Sequence, residues 1–368
     1  MNSGPKSKER ILSTFLLEES DRAPVSVRVG GISIPWMTEA GILEWVMNSS
    51  DVLWRTGVPG ANEFLTKSVK VKECAEKGVH VLKVETPKGM LSSITRDTIN
   101  GKPYVGTWTL KHFLEDDEDV EKFLSIPYVP AVPDLRPLTE GKRKLGERGV
   151  MVACISDPVG VVGELFPLQK FVLYCMKRKQ IIKDLLDLVF DRIYDYLEKV
   201  LEGDEDSIIE ISGPEFVAPP FLDPSYFREL VVDYDKKLVK LVHQHSHLAS
   251  MHCHGKVNKL LESIAEIGFD GLHPIEPPPS GDVDIAEAKR RIGGKVCLIG
   301  NLQLDDLVRC GEKELEWKCK EIISKAAPGG GYILEPTATP LPDTPVKNLI
   351  SFVKAGRKYG TYRCDFGK

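Results

Sequence analysis

Short apolar runs that stop at glycine, proline or a polar residue and give way to helical periodicity recur along this 368-residue chain, and that rhythm narrows it to a parallel α/β architecture. Residues 24–29 (PVSVRV) run into Gly30-Gly31, 150–155 (VMVACI) into Ser156-Asp157-Pro158, and 208–211 (IIEI) into Ser212-Gly213-Pro214-Glu215. The second half repeats the pattern more tightly: 247–253, a helix over about 257–267, 271–275 into Glu276-Pro277-Pro278-Pro279, 296–299 into Gly300-Asn301, and 332–334 into Glu335-Pro336. Intervals 212–247 and 301–331 leave room for crossover helices. Apolar residues at three- and four-residue spacing predict a long helix over 181–201 whose stripe is core packing. The expected fold is α/β: a single (β/α)8 TIM barrel over residues 1–368, since no Pro-, Gly- or Ser-rich linker divides the chain. Alternating stretches between Val69 and Trp108, with an Asn100-Gly101 turn, predict an antiparallel hairpin inserted at about 69–108.

Composition removes several classes of function. A formal net charge of -5, with no basic block longer than runs such as Lys177-Arg178-Lys179, argues against nucleic acid as a partner. No apolar stretch is long enough to span a bilayer, so a cytoplasmic protein without a membrane partner is expected. The eight cysteines are scattered without a CxxC pair, which reads as reduced thiols.

The chemistry concentrates in Met251-His252-Cys253-His254-Gly255. Alternation along a strand puts His252 and His254 on one face and Cys253 on the other. A glycine ends this strand, and in a TIM barrel the carboxyl ends of the strands carry the active site. Glu276 occupies the equivalent end of the next strand, so a carboxylate can join two imidazoles around one ion. Two His and one carboxylate with a vacant position suit catalytic zinc and also non-haem iron. A lone histidine would more simply be a hydrogen-bonding core residue. His243, His245 and His247 read as an exposed helix end, and His273 faces a helix as readily as the barrel. Asp157, Glu215, Asn301 and Glu335 stand at other strand ends. Asp157, Glu215 and Asn301 are candidates for catalysis and Glu335 for a fourth ligand, and each reads equally as a hydrogen-bonding loop residue.

The order His252-x-His254-Gly255, then Ile267-Gly268-Phe269-Asp270-Gly271, then Lys295-Val296-Cys297-Leu298-Ile299-Gly300-Asn301 resembles the second half of the uroporphyrinogen decarboxylase superfamily, and Asp343-Thr344-Pro345-Val346-Lys347-Asn348-Leu349 resembles its closing helix. The decarboxylases themselves begin with an Arg-Gln-Ala-Gly-Arg motif that grips substrate carboxylates. Residues 22–31 (RAPVSVRVGG) lack its second arginine, which argues against porphyrinogen chemistry. The corrinoid-dependent methyltransferase branch holds zinc on His-x-Cys-Gly and a later Cys. His252 matches that first His and His254 replaces the Cys, while Glu335-Pro336-Thr337-Ala338-Thr339 stands where the late Cys would be. Glu276 falls at the spacing of a glutamate ligand in cobalamin-independent methionine synthase, a related fold.

His-Cys-His-Gly followed by Glu-Pro-Pro-Pro and Gly-Asp, as in residues 276–282, is similar to the ether-cleaving methyltransferases of anaerobic bacteria. That resemblance implies zinc on His252, His254 and Glu276, a methoxylated aromatic substrate, and methyl transfer to the Co(I) corrinoid of a partner protein. The chain itself carries no Asp-x-His-x-x-Gly corrinoid signature. Two neutral imidazoles and one carboxylate leave a dication net positive, a stronger Lewis acid than a thiolate-rich site, suited to an oxygen leaving group. Alternatives are methyl transfer involving a thiol or amine, metal-dependent hydrolysis, and a non-catalytic corrinoid-docking or ligand-binding barrel. Amidohydrolases place HxH on the first strand, whereas here it comes late. Trp36, Trp45, Trp54 and Phe216 read as core or as an aromatic pocket. The resemblance allows a monomer or a homodimer.

Overall fold

The computed structural model describes residues 5–30, 41–61, 64–76, 78–99 and 102–362. In chain order the strands are β1 (Val29–Gly30), β2 (Val52–Gly57), β3 (Val71–Glu76), β4 (Val79–Thr86), β5 (Gly89–Ile99), β6 (Lys102–Lys111), β7 (Gly149–Ser156), β8 (Ile208–Ser212), β9 (Ala249–His252), β10 (Gly271–His273), β11 (Cys297–Leu302) and β12 (Tyr332–Pro336). β1, β2 and β7 to β12 lie side by side in that order in one parallel sheet. Its two ends meet. Val25 bridges Leu334 in parallel, with Ser26 N–H donating to the Leu334 carbonyl and Leu334 N–H to that of Pro24, both at 2.9 Å. The closure is of the TIM-barrel type expected from the strand–helix rhythm. The near-continuous apolar runs of β7 and β12 are those of strands buried on both faces.

The lumen is layered. At its lower end Leu53, Val150, Val152, Ile208, Cys297, Ile299 and Ile333 pack against Ile11 and Phe15 of the helix Ser7–Phe15, which closes the floor. Two residues further along the same strands come Arg55, Cys154, Glu210 and Glu335, and at the same level of β9 and β10 lie His252 and His273. Period-two alternation therefore lifts the chain from an apolar floor to a polar layer in one step.

Residues 69–108 form more than a hairpin. β3 to β6 make a four-stranded antiparallel sheet that continues to Lys111, each strand paired with the next. The expected Asn100-Gly101 turn lies outside the described residues. The long helix runs Lys179–Gly203, two residues beyond the expectation at each end. His243 is exposed as expected. His247 is not: it is buried, its ring nitrogens 2.8 and 3.1 Å from the Ser207 and Asp204 carbonyl oxygens. Trp45 and Trp54 are half-buried against the core, and Trp36 lies outside the described residues. Among those described, no single helix is long and apolar enough to cross a membrane.

Candidate functional site

β9 carries His252 to the upper layer and releases the chain into His254 and Gly255, whose φ of +89° favours a residue without a Cβ. The rings of His252 and His254 meet edge to face, centroids 4.7 Å apart. Glu276, after β10, turns back toward them. Its Oε1 lies 3.2 Å from His254 Nδ1, and its Oε2 accepts the Gly255 N–H at 2.6 Å. His254 and Glu276 are thus in contact and His252 lies beside them, with the ligand atoms of the three not all within 4.8 Å of one another.

A residue that sequence reasoning left aside stands behind them. His273, paired with His252 in the β9–β10 register, lies edge to edge with it, the ring planes 11° apart, centroids 5.0 Å apart and Nδ1 to Nδ1 at 2.9 Å. Glu210 completes a group whose ligand atoms lie within 4.8 Å of His252 and His273. Two arginines pin this layer. Arg55 donates to both Glu210 oxygens (2.9 and 3.2 Å) and bidentately to Glu335 (2.9 and 3.0 Å), while Arg28 donates to Glu210 Oε1 at 3.3 Å. Two guanidiniums thus face two carboxylates. Against the cost of burial, Arg55 and Arg28 hold the Glu210 carboxyl well below the usual carboxylate range. Burial and Arg28 push both imidazoles well below the usual histidine range, so both are neutral.

Neutral imidazoles have one donor and one acceptor each, and the contacts here fix which is which. A guanidinium only donates, so Arg28, 3.0 Å from His273 Nδ1, makes that nitrogen an acceptor. Nε2 then carries the proton, 3.2 Å from the Pro336 carbonyl and 3.3 Å from Glu335 Oε2. With His273 Nδ1 an acceptor, His252 Nδ1 is the donor of the 2.9 Å contact and shares that single lone pair with Arg28, which leaves the lone pair of His252 Nε2 unspent. A ligating histidine commonly uses its second nitrogen in this way.

The other expected site residues are differently employed. Glu335 is fully buried and takes Arg55 on both oxygens and the Ser26 hydroxyl at 2.8 Å, so its lone pairs are already engaged. Asn301 donates its amide to the Ile275 carbonyl at 2.6 Å and faces a separate recess beside Pro277, Asp282 and Trp317. Glu215 sits on a short 3-10 turn, Pro214–Val217, electrostatically close to His254. Its buried Oε2 has no partner, and burial raises its pKa. Asp157 is fully buried and caps the helix Pro158–Leu165 through Gly160 N–H at 2.5 Å, its Oδ2 without a partner.

Asp157 has a neighbour that the sequence did not single out. Asp235, on the helix Val232–Gln244, is fully buried with both oxygens unpartnered. Burial raises both carboxyls, and Asp235 also raises Asp157. Glu215 is a further negative neighbour of Asp157, and the buried Cys253 thiol feels all three acids. A carboxyl whose folded pKa is raised stays protonated while the unfolded chain ionises. It costs nothing at pH below the unfolded value and costs about 1.4 kcal/mol per pH unit above it, until the folded value is passed. Asp235→Asn, which also offers an amide donor, is expected to stabilise the protein by on the order of 2 kcal/mol at pH 7 and by little at pH 4, read by urea denaturation at both pH values. Equal effects at the two pH values would show that Asp235 ionises normally.

A cleft of about 960 Å³ adjoins this layer. It runs between the antiparallel sheet (Leu82, Ser93, Thr95, Thr109) and the ends of β2 and β7, and Phe216 forms part of its wall. Cys154 lines the cleft and also touches the polar layer, its Sγ 3.8 Å from Glu210 Oε1.

The comparisons agree with this architecture. A solved methyltransferase from Methanosarcina mazei superposes with a TM-score of 0.67 over 96% of this chain and 99% of its own, at 19% identity. The methylcobamide:CoM methyltransferase MtaA of Methanosarcina barkeri is 24% identical over 357 residues, 96% of this chain and 98% of the relative. Its namesake from the Fusaro strain is 26% identical over 231 residues, 63% of this chain and 64% of the relative. The family profile described as uroporphyrinogen decarboxylase (URO-D) matches residues 110–359, more than half the chain and every barrel strand from β7 onward. The chain belongs to the uroporphyrinogen decarboxylase family.

Proposed function

We propose that this protein is a corrinoid-dependent methyltransferase that removes the methyl group of an aryl methyl ether and passes it to the Co(I) corrinoid of a separate carrier protein. The observation that carries the reading is the meeting of His252, His254 and Glu276 at the carboxyl ends of β9 and β10, with no thiolate among them. The names of the relatives support corrinoid-dependent methyl transfer as the reaction class.

The donor set fits a zinc ion. Two ligands each about 2.1 Å from one metal lie roughly 3 Å apart, and His254 Nδ1 and Glu276 Oε1 are separated by 3.2 Å. His252 stands beside this pair, its ring centroid 4.7 Å from that of His254, and would have to swing its Nε2 inward to become a third donor, because the three side chains do not bring their ligand atoms within 4.8 Å of one another. The Glu210–His252–His273 group is the weaker candidate because two guanidiniums stand where a dication would go. When bound, the metal supplies Lewis acidity toward the ether oxygen. His273, Glu210, Glu335, Arg28 and Arg55 orient the ligands. As the C–O bond breaks its electron pair stays on oxygen, and the phenolate takes up a proton. Glu215, with its unpartnered Oε2 beside His254, is placed to bind substrate or orient a ligand.

Methyl transfer to a thiol is the second reading, favoured by the coenzyme M named in the relatives. A net-positive site of two imidazoles and one carboxylate would draw more electron density from a bound thiolate than a neutral, thiolate-rich one and leave it a poorer nucleophile, and the buried Cys253 lies on the opposite strand face. The test is metal content by plasma mass spectrometry, followed by an assay with reduced corrinoid protein and a methoxylated phenol. About one zinc per chain and release of the free phenol are expected. No bound metal after zinc is supplied, or no demethylation by the zinc-loaded protein, would overturn the reading.

A further inference from the structure

We propose that the cleft beneath the antiparallel sheet holds the body of the methyl donor and selects donors that carry no carboxylate. This rests on the methyltransferase reading for what the ligand is, but the selectivity follows from the cleft itself.

The cleft is in contact with the polar layer through Cys154, which forms part of its wall and lies 3.8 Å from Glu210. Glu210 in turn belongs to the group that contains His252. A methoxyl group at the inner end therefore approaches the histidines while the ring extends outward. At about 960 Å³ the space lies at the upper end of the range for small-molecule sites and exceeds what one aromatic ring needs. Leu65, Leu82, Phe113 and Phe216 give it apolar walls suited to a ring, and Ser93, Thr95 and Thr109 place hydroxyl groups on the sheet side.

Charge decides the rest. Among the described residues that line the cleft there is no lysine or arginine, and the one basic side chain, His112, lies against Glu164, its Nδ1 3.0 Å from the Glu164 carbonyl oxygen. Its one carboxylate, Glu164, opens onto the cleft while crowded enough by protein for burial to raise its pKa. The cations of the adjoining polar layer, Arg28 and Arg55, are already matched by Glu210 and Glu335. A carboxylated donor would give up part of its hydration with no lysine or arginine to replace it, and the one imidazole of the wall, His112, already faces Glu164, whose carboxylate the donor would meet as well. An uncharged methoxyarene incurs neither cost, and a phenolic hydroxyl on it can donate to Glu164 or to a wall hydroxyl.

The probes are 2-methoxyphenol and 4-hydroxy-3-methoxybenzoate, which differ by one carboxylate, titrated calorimetrically into the zinc-loaded protein without corrinoid. Wild type is expected to bind the uncharged probe at least about tenfold more tightly. Thr95→Arg, which adds a cation to the wall, is expected to narrow or reverse that ratio. Ala61→Trp is expected to weaken both probes with zinc content unchanged. Equal or tighter binding of the benzoate by wild type, failure of both probes to bind, or a folded Thr95→Arg with the ratio unaltered would each overturn the proposal. Methyl transfer to reduced corrinoid protein is read separately. Its absence with the binding preference intact fails the methyltransferase reading and leaves the cleft's selectivity standing.

Discussion

Replacing Glu276 by alanine is expected to empty the metal site and to slow methyl transfer by about a thousandfold or more, since Lewis-acid stabilisation of the leaving oxygen is worth several kcal/mol and each 1.4 kcal/mol is a factor of ten. Glu276 Oε1 lies 3.2 Å from His254 Nδ1, and loss of this carboxylate leaves two imidazoles and removes the partner of the Gly255 N–H. Glu276 is 7% exposed and stands at a loop, so the barrel should persist. Zinc content by plasma mass spectrometry, turnover of a methoxyphenol and near-UV circular dichroism separate site loss from unfolding. His254→Ala should behave alike. Retention of zinc in both variants would move the ion to Glu210, His252 and His273, and Glu210→Ala would then be the variant that loses it.

Arg55→Met is expected to be the most destabilising single change in the lumen, by roughly 3–5 kcal/mol, the cost of leaving buried carboxylates without their partner. Among the described residues Arg55 alone is bonded to both Glu210 and Glu335, whose side chains are 3% and 0% exposed. Arg28 remains for Glu210 alone. The effect has a pH signature. The folded pKa of Glu210 is depressed, so its stabilising contribution is complete above the ordinary carboxylate range, near 4.5, and is lost as pH falls toward the folded value. The gap between wild type and Arg55→Met should therefore narrow as pH drops below about 4.5. Urea denaturation at pH 7.5 and in the acid range measures it. A loss under about 1 kcal/mol at pH 7.5, the size of a surface pair, would show that water reaches the cluster.

What the sequence made legible follows from the two things a lone chain displays, alternation and punctuation. His252 and His254 were readable because alternation gives them one face and Gly255 marks the strand end. β7 to β12 were readable because strands buried on both faces are apolar throughout. Arg55 was not readable. In Asp51-Val52-Leu53-Trp54-Arg55-Thr56-Gly57 an arginine beside a tryptophan looks turned to solvent, yet the structure puts Arg55 in the lumen and packs Trp54 against the core. Glu210 and Glu335, 155 and 280 residues away, account for a buried guanidinium there. His273 failed for a related reason, since a strand of three residues is too short for period two to choose a face. Asp235 lay hidden in a helical stripe, where a lone acid reads as exposed.

The seal that Ile11 and Phe15 place across the bottom of the barrel also bears on the order of events in turnover. With the apolar floor closed, a small molecule and a carrier protein that both need the upper layer must share one doorway. The methyl donor then has to enter before the carrier covers the opening, and the demethylated product has to wait for the carrier to leave. Steady-state kinetics should accordingly be sequential and ordered, with product release tied to carrier dissociation, rather than the independent traffic that an open-ended barrel would permit.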